Sequence, residues 1–397
     1  MFKKIKTICK YIDLRWLDKT HVSHDFDGCN FIFIDNRFSD FFEQLESFFG
    51  KNLFDKKKTV FIVKFYFSNY FNVLKAAERL GVKVVFYKFY RQIPKVDGKV
   101  VFYPYNGQSN CRMILNRNAC HVFLTHGESN KKASVNRMVR LYDYIIAAGD
   151  ISCQRYVESD VLNSYDIGSG KVVRVGTYLT APCFEYAGGN NGDPCLAYLP
   201  TWEGGLDEEN YSSIAVPGTS LALARTMRAL GVNKIIIKCH PNMGGRIKSY
   251  KHALSKLTEE LLCQGFEVYI DPASSIFLGK DKILKSRVKI GNEGLRIVFG
   301  VSDVSASEFM LAAEKIPSIV FVSKKNNIFS PKDYLEIREK SMVTVDGYSG
   351  IEDAVKYSLK KDSVEKFFDY AFSCESYLEI NNKNDLGDIL SFKFFKS

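Results

Sequence analysis

Two doubly wound α/β domains facing a cleft are the architecture this sequence predicts, and three observations predict it. Short apolar runs alternate with helical patterns almost throughout; the runs are mostly apolar on both faces; and the rhythm breaks once, near the middle. NFIFIDN (30–36), KTVFIVKFY (58–66), VKVVFYKF (82–89), KVVFYPY (99–105), CHVFLTH (120–126), DYIIAAG (143–149) and KVVRVG (171–176) read as buried parallel strands rich in Val, Ile, Phe and Tyr. Helix candidates lie between them, such as SNYFNVLKAAERLG (68–81), with Ser68 or Asn69 as N-cap and Gly81 as stop. The break is FEYAGGNNGDP (184–194), where Gly, Asn and Pro crowd without periodicity, as in a linker. A second series follows: CLAYLPT (195–201), a helix near 217–230, NKIIIKCHP (233–241), an amphipathic helix (248–264), FEVYIDP (266–272), RIVFGVSD (296–303), a helix (307–315) and PSIVFVS (317–323). The expected domains are 1–185 and 194–397.

Length and composition agree with this plan. The 397 residues are too many for one compact core, and 46% hydrophobic with 25% charged residues is ordinary globular composition. The net charge of +10 favours anionic partners, yet no nucleic-acid-binding motif is present. Ten cysteines without CxxC spacing argue against a zinc ribbon and for a reducing compartment. No apolar stretch approaches the ~18 residues needed to span a bilayer, and the N-terminus lacks the apolar core of a signal peptide. A cytoplasmic protein is expected.

The strand ends carry the chemistry. His126-Gly127 closes the run 120–126, with Glu128, Lys131 and Lys132 behind it. Thr201-Trp202-Glu203-Gly204-Gly205 follows 195–201, and His240-Pro241-Asn242, with Gly244, Gly245 and Arg246, follows the run at 233–239. Ser302-Asp303-Val304-Ser305-Ala306-Ser307 opens a helix. Glycines admit a close anion, helix N-termini aim N–H groups at it, and hydroxyls, imidazoles and Arg add donors. In doubly wound sheets ligands bind beyond the carboxyl ends of strands. Each feature also has a plain structural reading: Asp303, Ser305 or Ser307 as N-cap, Lys131 and Lys132 as a solvated face, Trp202 and Pro241 as packing residues. His121 reads as a core residue, His252 as surface, and His21 and His24 carry no motif.

HGESNKK, PTWEGG, KCHPN and SDVSAS stand in the order and approximate spacing of motifs in the CDP-glycerol glycerophosphotransferase family, the teichoic-acid primases and polymerases and related capsule enzymes. The chain resembles that family over roughly residues 120 to 340, and KDYLEIRE (332–339) is similar to its downstream Tyr/Arg segment. The resemblance implies a GT-B-like fold and transfer of a polyol-phosphate from a CDP-activated donor to a glycan or lipid-linked acceptor. Glu128 departs from a small hydroxyl residue, Glu203 from an Arg after the Trp, and Val304 and Ala306 from a Tyr and a Ser. Losing that Arg removes a bidentate phosphate ligand and leaves a nucleotide-sugar donor open as the alternative.

A neutral imidazole suits deprotonation of an acceptor hydroxyl, and preorganised donors suit the departing nucleotide. His126 is the candidate base, a role the resemblance supports, with Gly127, Lys131 and Lys132 forming a basic loop on the acceptor side. Thr201, Gly204, Gly205, His240, Asn242, Arg246, Asp303, Ser305 and Ser307 are the candidates for the donor's phosphates. Transfer without an essential metal or other cofactor is expected, with Arg and Lys supplying the positive charge. In MFKKIKTICKYIDLRWL (1–17) Phe2, Ile5, Ile8, Cys9, Ile12 and Trp16 form one helical stripe flanked by lysines, the pattern of an interfacial helix on an anionic membrane.

Overall fold

The computed structural model describes residues 30–35, 41–67, 70–125, 127–184, 192–279, 281–325, 328–376, 378, 380 and 384–396. The expected N-terminal interfacial helix, the linker core, the N-cap at Ser68 or Asn69, and His126 itself lie outside them.

Seven strands, β1 (Asn30–Ile34), β2 (Thr59–Lys64), β3 (Lys83–Tyr87), β4 (Val100–Tyr103), β5 (Cys120–Phe123), β6 (Tyr144–Ala147) and β7 (Val172–Arg174), form the first sheet in the order β3-β2-β1-β4-β5-β6-β7. The pairings within it are parallel. Its strands are apolar on both faces because each face meets a core. Ile32 and Ile34 of β1 enter one cluster, while Phe31 and Phe33 enter the other.

The second sheet repeats the plan with β8 (Asp193–Leu199), β9 (Lys234–Ile237), β10 (Glu267–Ile270), β11 (Lys289–Ile290), β12 (Leu295–Asp303), β13 (Ser318–Val322) and β14 (Met342–Thr344), ordered β11-β10-β9-β8-β12-β13-β14. Leu196 and Tyr198 of β8 face one core, and Cys195, Ala197 and Leu199 the other. The two doubly wound α/β domains expected from the sequence are thus the observed ones. The edge strands β11 and β14 have no counterpart in the sequence reading. At two and three residues they are too short to show a pattern.

The second domain does not run to residue 397 as expected. Helix Leu386–Phe395 packs on β4 and β5, and Phe367, Ala371, Phe372, Leu386 and Leu390 enter the first domain's core. Asp385 fixes this return by accepting from Asn30 Nδ2 and from the Asp55 N–H (2.9 Å). Gly387 lies so close to Asn30 that an added Cβ would sit 2.1 Å from Nδ2. Among the described residues no helix is long and apolar enough to cross a membrane.

Candidate functional site

In the second sheet the chain moves outward from β8 through β9 to β11, then returns to β12 on β8's other side. β8 and β12 therefore flank the topological switch, where the following loops part and leave a crevice. The carboxyl end of β12, the helix that follows it, and the loops after β8 and β9 hold the donor-side residues expected from the sequence.

Asp303 ties two of these loops together. It is fully buried, and its Oδ2 accepts the Thr201 N–H at 2.8 Å. Burial pushes its carboxyl up to about 6, against the opposing effects of Ser213, Thr201 and Lys131. Its other oxygen, Oδ1, and the Ser302 hydroxyl are buried without a hydrogen-bond partner. A buried carboxylate repels phosphate, so Asp303 positions Thr201 and does not itself hold an anion. Ser305 is the N-cap of helix Ala306–Ala313. Its hydroxyl accepts from Ser307 N–H and donates to the Asp303 carbonyl, so the expected phosphate donor is spent on the cap. Ser307 stands half-buried in the first turn.

Glu203 explains one departure from the family pattern. Its buried carboxylate collects the N–H groups of Gly244 (3.0 Å), Arg246 (2.9 Å) and Ile247 (2.8 Å). Burial alone would raise its pKa, but these backbone donors outweigh burial and hold it below the usual glutamate value. Arg246 completes the clasp, donating Nε to Gly204 O and Nη2 to Glu203 O, and pairing with Asp207. Its guanidinium is thereby committed to the loop and not to a phosphate. Gly204 is needed by the same clasp: at φ +68° a Cβ would meet the Glu209 carbonyl oxygen at 2.4 Å. Gly205 lies beside it, where a Cβ would stand 3.4 Å from the Glu209 carboxylate.

His240 lies half-buried in the crevice, its ring 5.9 Å from that of Trp202 with an interplanar angle of 22°. The Asn242 N–H donates to its Nδ1 (3.1 Å), which leaves Nε2 as the protonated nitrogen of the neutral ring. The backbone of the His240 loop, not the Asn242 side chain, does this orienting.

The first domain reaches into this crevice through Lys131. Its Nζ donates to Thr201 Oγ1 at 2.7 Å and lies 5.5 Å from the centre of the Tyr211 ring. Lys131 as a residue is half-buried, but burial around its ammonium pushes the pKa down to about 8, against the attraction of Asp303 and Glu209. Lys132 is exposed and reaches only the rim, 3.5 Å from Glu208.

The loop that carries these lysines is built on a second departure. Glu128 is buried against Arg155, which donates Nη1 and Nη2 to Oε2 at 3.1 Å and Nε to Asn130 Oδ1 at 3.2 Å. Asn130 O accepts from Phe329 N–H (2.9 Å) of the second domain. Just before His126, Thr125 holds φ +58°, and Gly127 follows at +116°. Such a conformation costs a β-branched residue ~1–3 kcal/mol and recurs at functional sites.

Sequence reading missed Tyr211 and Ser213, which come from a loop without strand or helix pattern, and Tyr198, a core residue of β8 whose hydroxyl reaches that loop. Tyr198 OH and Ser213 Oγ are 2.6 Å apart. It also missed the buried Glu308, which accepts from Tyr334 and Arg338 at 2.9 and 3.0 Å. Only the hydroxyl-rich YSS at 211–213 signalled the first group. His121 is, as read, a core residue, 2.8 Å from the Tyr103 hydroxyl. Among the described residues no three His, Cys, Asp or Glu side chains gather as a metal's ligands would.

Neither a protein-family model nor a curated protein matches the chain. Solved structures do. The wall teichoic acid polymerase TagF aligns over 94% of this chain and 93% of its own at 13% identity, with a TM-score of 0.49. HepE of Anabaena, in complex with UDP and glucose, aligns over 87% and 96% at 9% identity and a TM-score of 0.43. The UDP-GlcNAc 2-epimerase of Neisseria meningitidis, bound to UDP-GlcNAc, aligns over 93% and 100% at 10% and 0.45. A likeness at such identities does not carry function to this chain.

Proposed function

We propose that the chain is a transferase that moves glycerol-phosphate, or a similar polyol-phosphate, from a CDP-activated donor to a hydroxyl of a glycan or lipid-linked acceptor. The observation that carries the reading is the Lys131–Thr201 contact. It brings the only lysine ammonium described in this crevice from one domain onto the switch-point loops of the other. Of the motifs shared in order with the resembled family, PTWEGG, KCHPN and SDVSAS belong to those strand ends, and HGESNKK carries Lys131.

In the proposed reaction the acceptor oxygen bonds to the phosphorus of the polyol-phosphate and gives its proton to His126. The pyrophosphate P–O bond breaks, and CMP departs with the electron pair. Lys131 and His240 Nε2–H, which donates, offset the charge growing on the departing phosphate. The clasp of Glu203 and Arg246 shapes the wall these groups stand on. Because that clasp occupies the position of the family's Arg, a nucleotide-sugar donor in a GT-B glycosyltransferase reaction is the second reading.

A donor screen that follows release of CMP, CDP or UDP separates them. CMP release from CDP-glycerol or another CDP-polyol supports the leading reading. UDP or CDP release from a nucleotide sugar transfers the assignment to the second, and no release from any donor, with no nucleotide bound, contradicts both.

A further inference from the structure

The carboxyl edge of β2 and β3 carries an aromatic patch for which the transfer chemistry has no use. The two strands pair in register from Val60↔Lys83 to Lys64↔Tyr87, and Phe65 N–H still donates to Tyr87 O at 2.7 Å. Their following segments therefore leave the sheet side by side. Phe67 and Phe71 after β2 are 60% and 63% exposed, and Phe89 and Tyr90 after β3 are 48% and 41% exposed. The local fold does not lack packing partners. Tyr70, next to Phe71, turns inward against Phe65 (5.4 Å) and Phe86 (4.8 Å). The outward rings are in excess of what the core takes.

Cations frame them. Lys88 Nζ lies 5.9 Å and the Arg91 guanidinium 5.5 Å from the centre of the Phe89 ring. The stretch FYKFYRQIPK (86–95) has three basic residues and no acidic one. β3 is the outermost strand of the first sheet, so the patch lies at an edge of the molecule. Scattered surface apolar residues are ordinary, but four large aromatics on two adjoining segments are not. Rings that bury their faces while neighbouring cations meet phosphates are the composition of a membrane-interface surface. A net charge of +10 draws the whole chain to such a surface.

We propose that this edge docks on an anionic lipid surface, with Phe67, Phe71, Phe89 and Tyr90 between the headgroups and Lys88 and Arg91 against lipid phosphates. The inference does not rest on the transfer reading, since it requires no donor and no turnover. It is also separate from residues 1–17.

Sedimentation of the full chain with vesicles tests it, comparing phosphatidylcholine alone with equal parts phosphatidylcholine and phosphatidylglycerol. The chain should bind the mixed vesicles, and added salt should weaken binding. The double variant Phe89→Ser, Tyr90→Ser and the double variant Lys88→Glu, Arg91→Glu should each lower the partition coefficient about tenfold or more. As a check that does not depend on lost binding, Phe89→Trp should become quenched by brominated lipid. Equal binding by wild type and both double variants, with Phe89→Trp unquenched, assigns attachment elsewhere in the chain and overturns the proposal. So does failure of the wild type to bind either vesicle, which leaves a protein or glycan as the patch's partner.

Discussion

Lys131 carries a charge whose value depends on pH in the working range. Burial lowers its pKa to about 8, so the ammonium is present in the folded protein below that pH and lost above it. The lowered value also fixes the sign of the stability effect. Lys131 favours the folded state fully only above the ordinary lysine value, and that contribution is lost as pH falls through about 8. Nucleotide affinity runs the other way and is expected to decline as pH rises through about 8. Lys131→Arg should abolish that decline, since a guanidinium stays charged. Calorimetric titration of CDP across that range checks it; an identical decline in both proteins contradicts the role given to Lys131. His126→Ala is expected to lower turnover by ~10²–10⁴-fold with nucleotide affinity nearly unchanged. Steady-state kinetics beside a direct binding measurement decides that, and lost affinity with surviving turnover contradicts it. The order His-Gly, Thr-Trp, His-Pro and Ser-Asp along the chain made these residues legible as one set. The partners of Glu203 were not legible. Backbone N–H groups of Gly244, Arg246 and Ile247 are invisible in a sequence, so the carboxylate looked like a lost phosphate ligand when it is the loop's organiser.

At the scale of the element, the loops after β8 and β9 fold as one piece around that carboxylate. Glu203→Ala strands three N–H donors, each costing ~1–3 kcal/mol if left buried without a partner. A fall of several degrees in Tm and weakened nucleotide binding are expected together; unchanged Tm by calorimetry contradicts the clasp. Ser305→Ala removes the cap of helix Ala306–Ala313 at a cost of ~0.5–2 kcal/mol, whereas Ser305→Asn keeps a neutral capping acceptor. A lowered Tm in Ser305→Ala that Ser305→Asn restores is the outcome its capping role predicts, and an unchanged Tm in Ser305→Ala contradicts it. The central strands were readable because they are buried on both faces. All seven of the first sheet and five of the second have counterparts in the apolar runs. β14 is too short at three residues to show a pattern, and β11 is both short and exposed.

The whole molecule joins its domains by polar contacts as well as by the returning helix. Asn130 receives Phe329, Gln154 Nε2 donates to Asp333 at 2.5 Å, and Glu158 accepts the Lys332 N–H at 3.1 Å. The return of helix Leu386–Phe395 to the first domain was not readable, because its anchor joins Asn30 to Asp385 across 355 residues. Activity is expected to survive chelation, with Lys131 supplying the positive charge that a divalent cation would otherwise bring. Assay with and without EDTA checks this, and loss restored by Mg²⁺ contradicts it. The central claim is that the switch point between β8 and β12 binds the donor's phosphates, with Lys131 closing over them from the other domain. A crystal structure with CDP bound tests it most directly. The account predicts the pyrophosphate within hydrogen-bond distance of His240 Nε2 and Lys131 Nζ, above the N-terminus of helix Ala306–Ala313. A nucleotide seated on the first sheet, or beyond hydrogen-bond distance of His240, Lys131 and the 305–307 backbone, would contradict it.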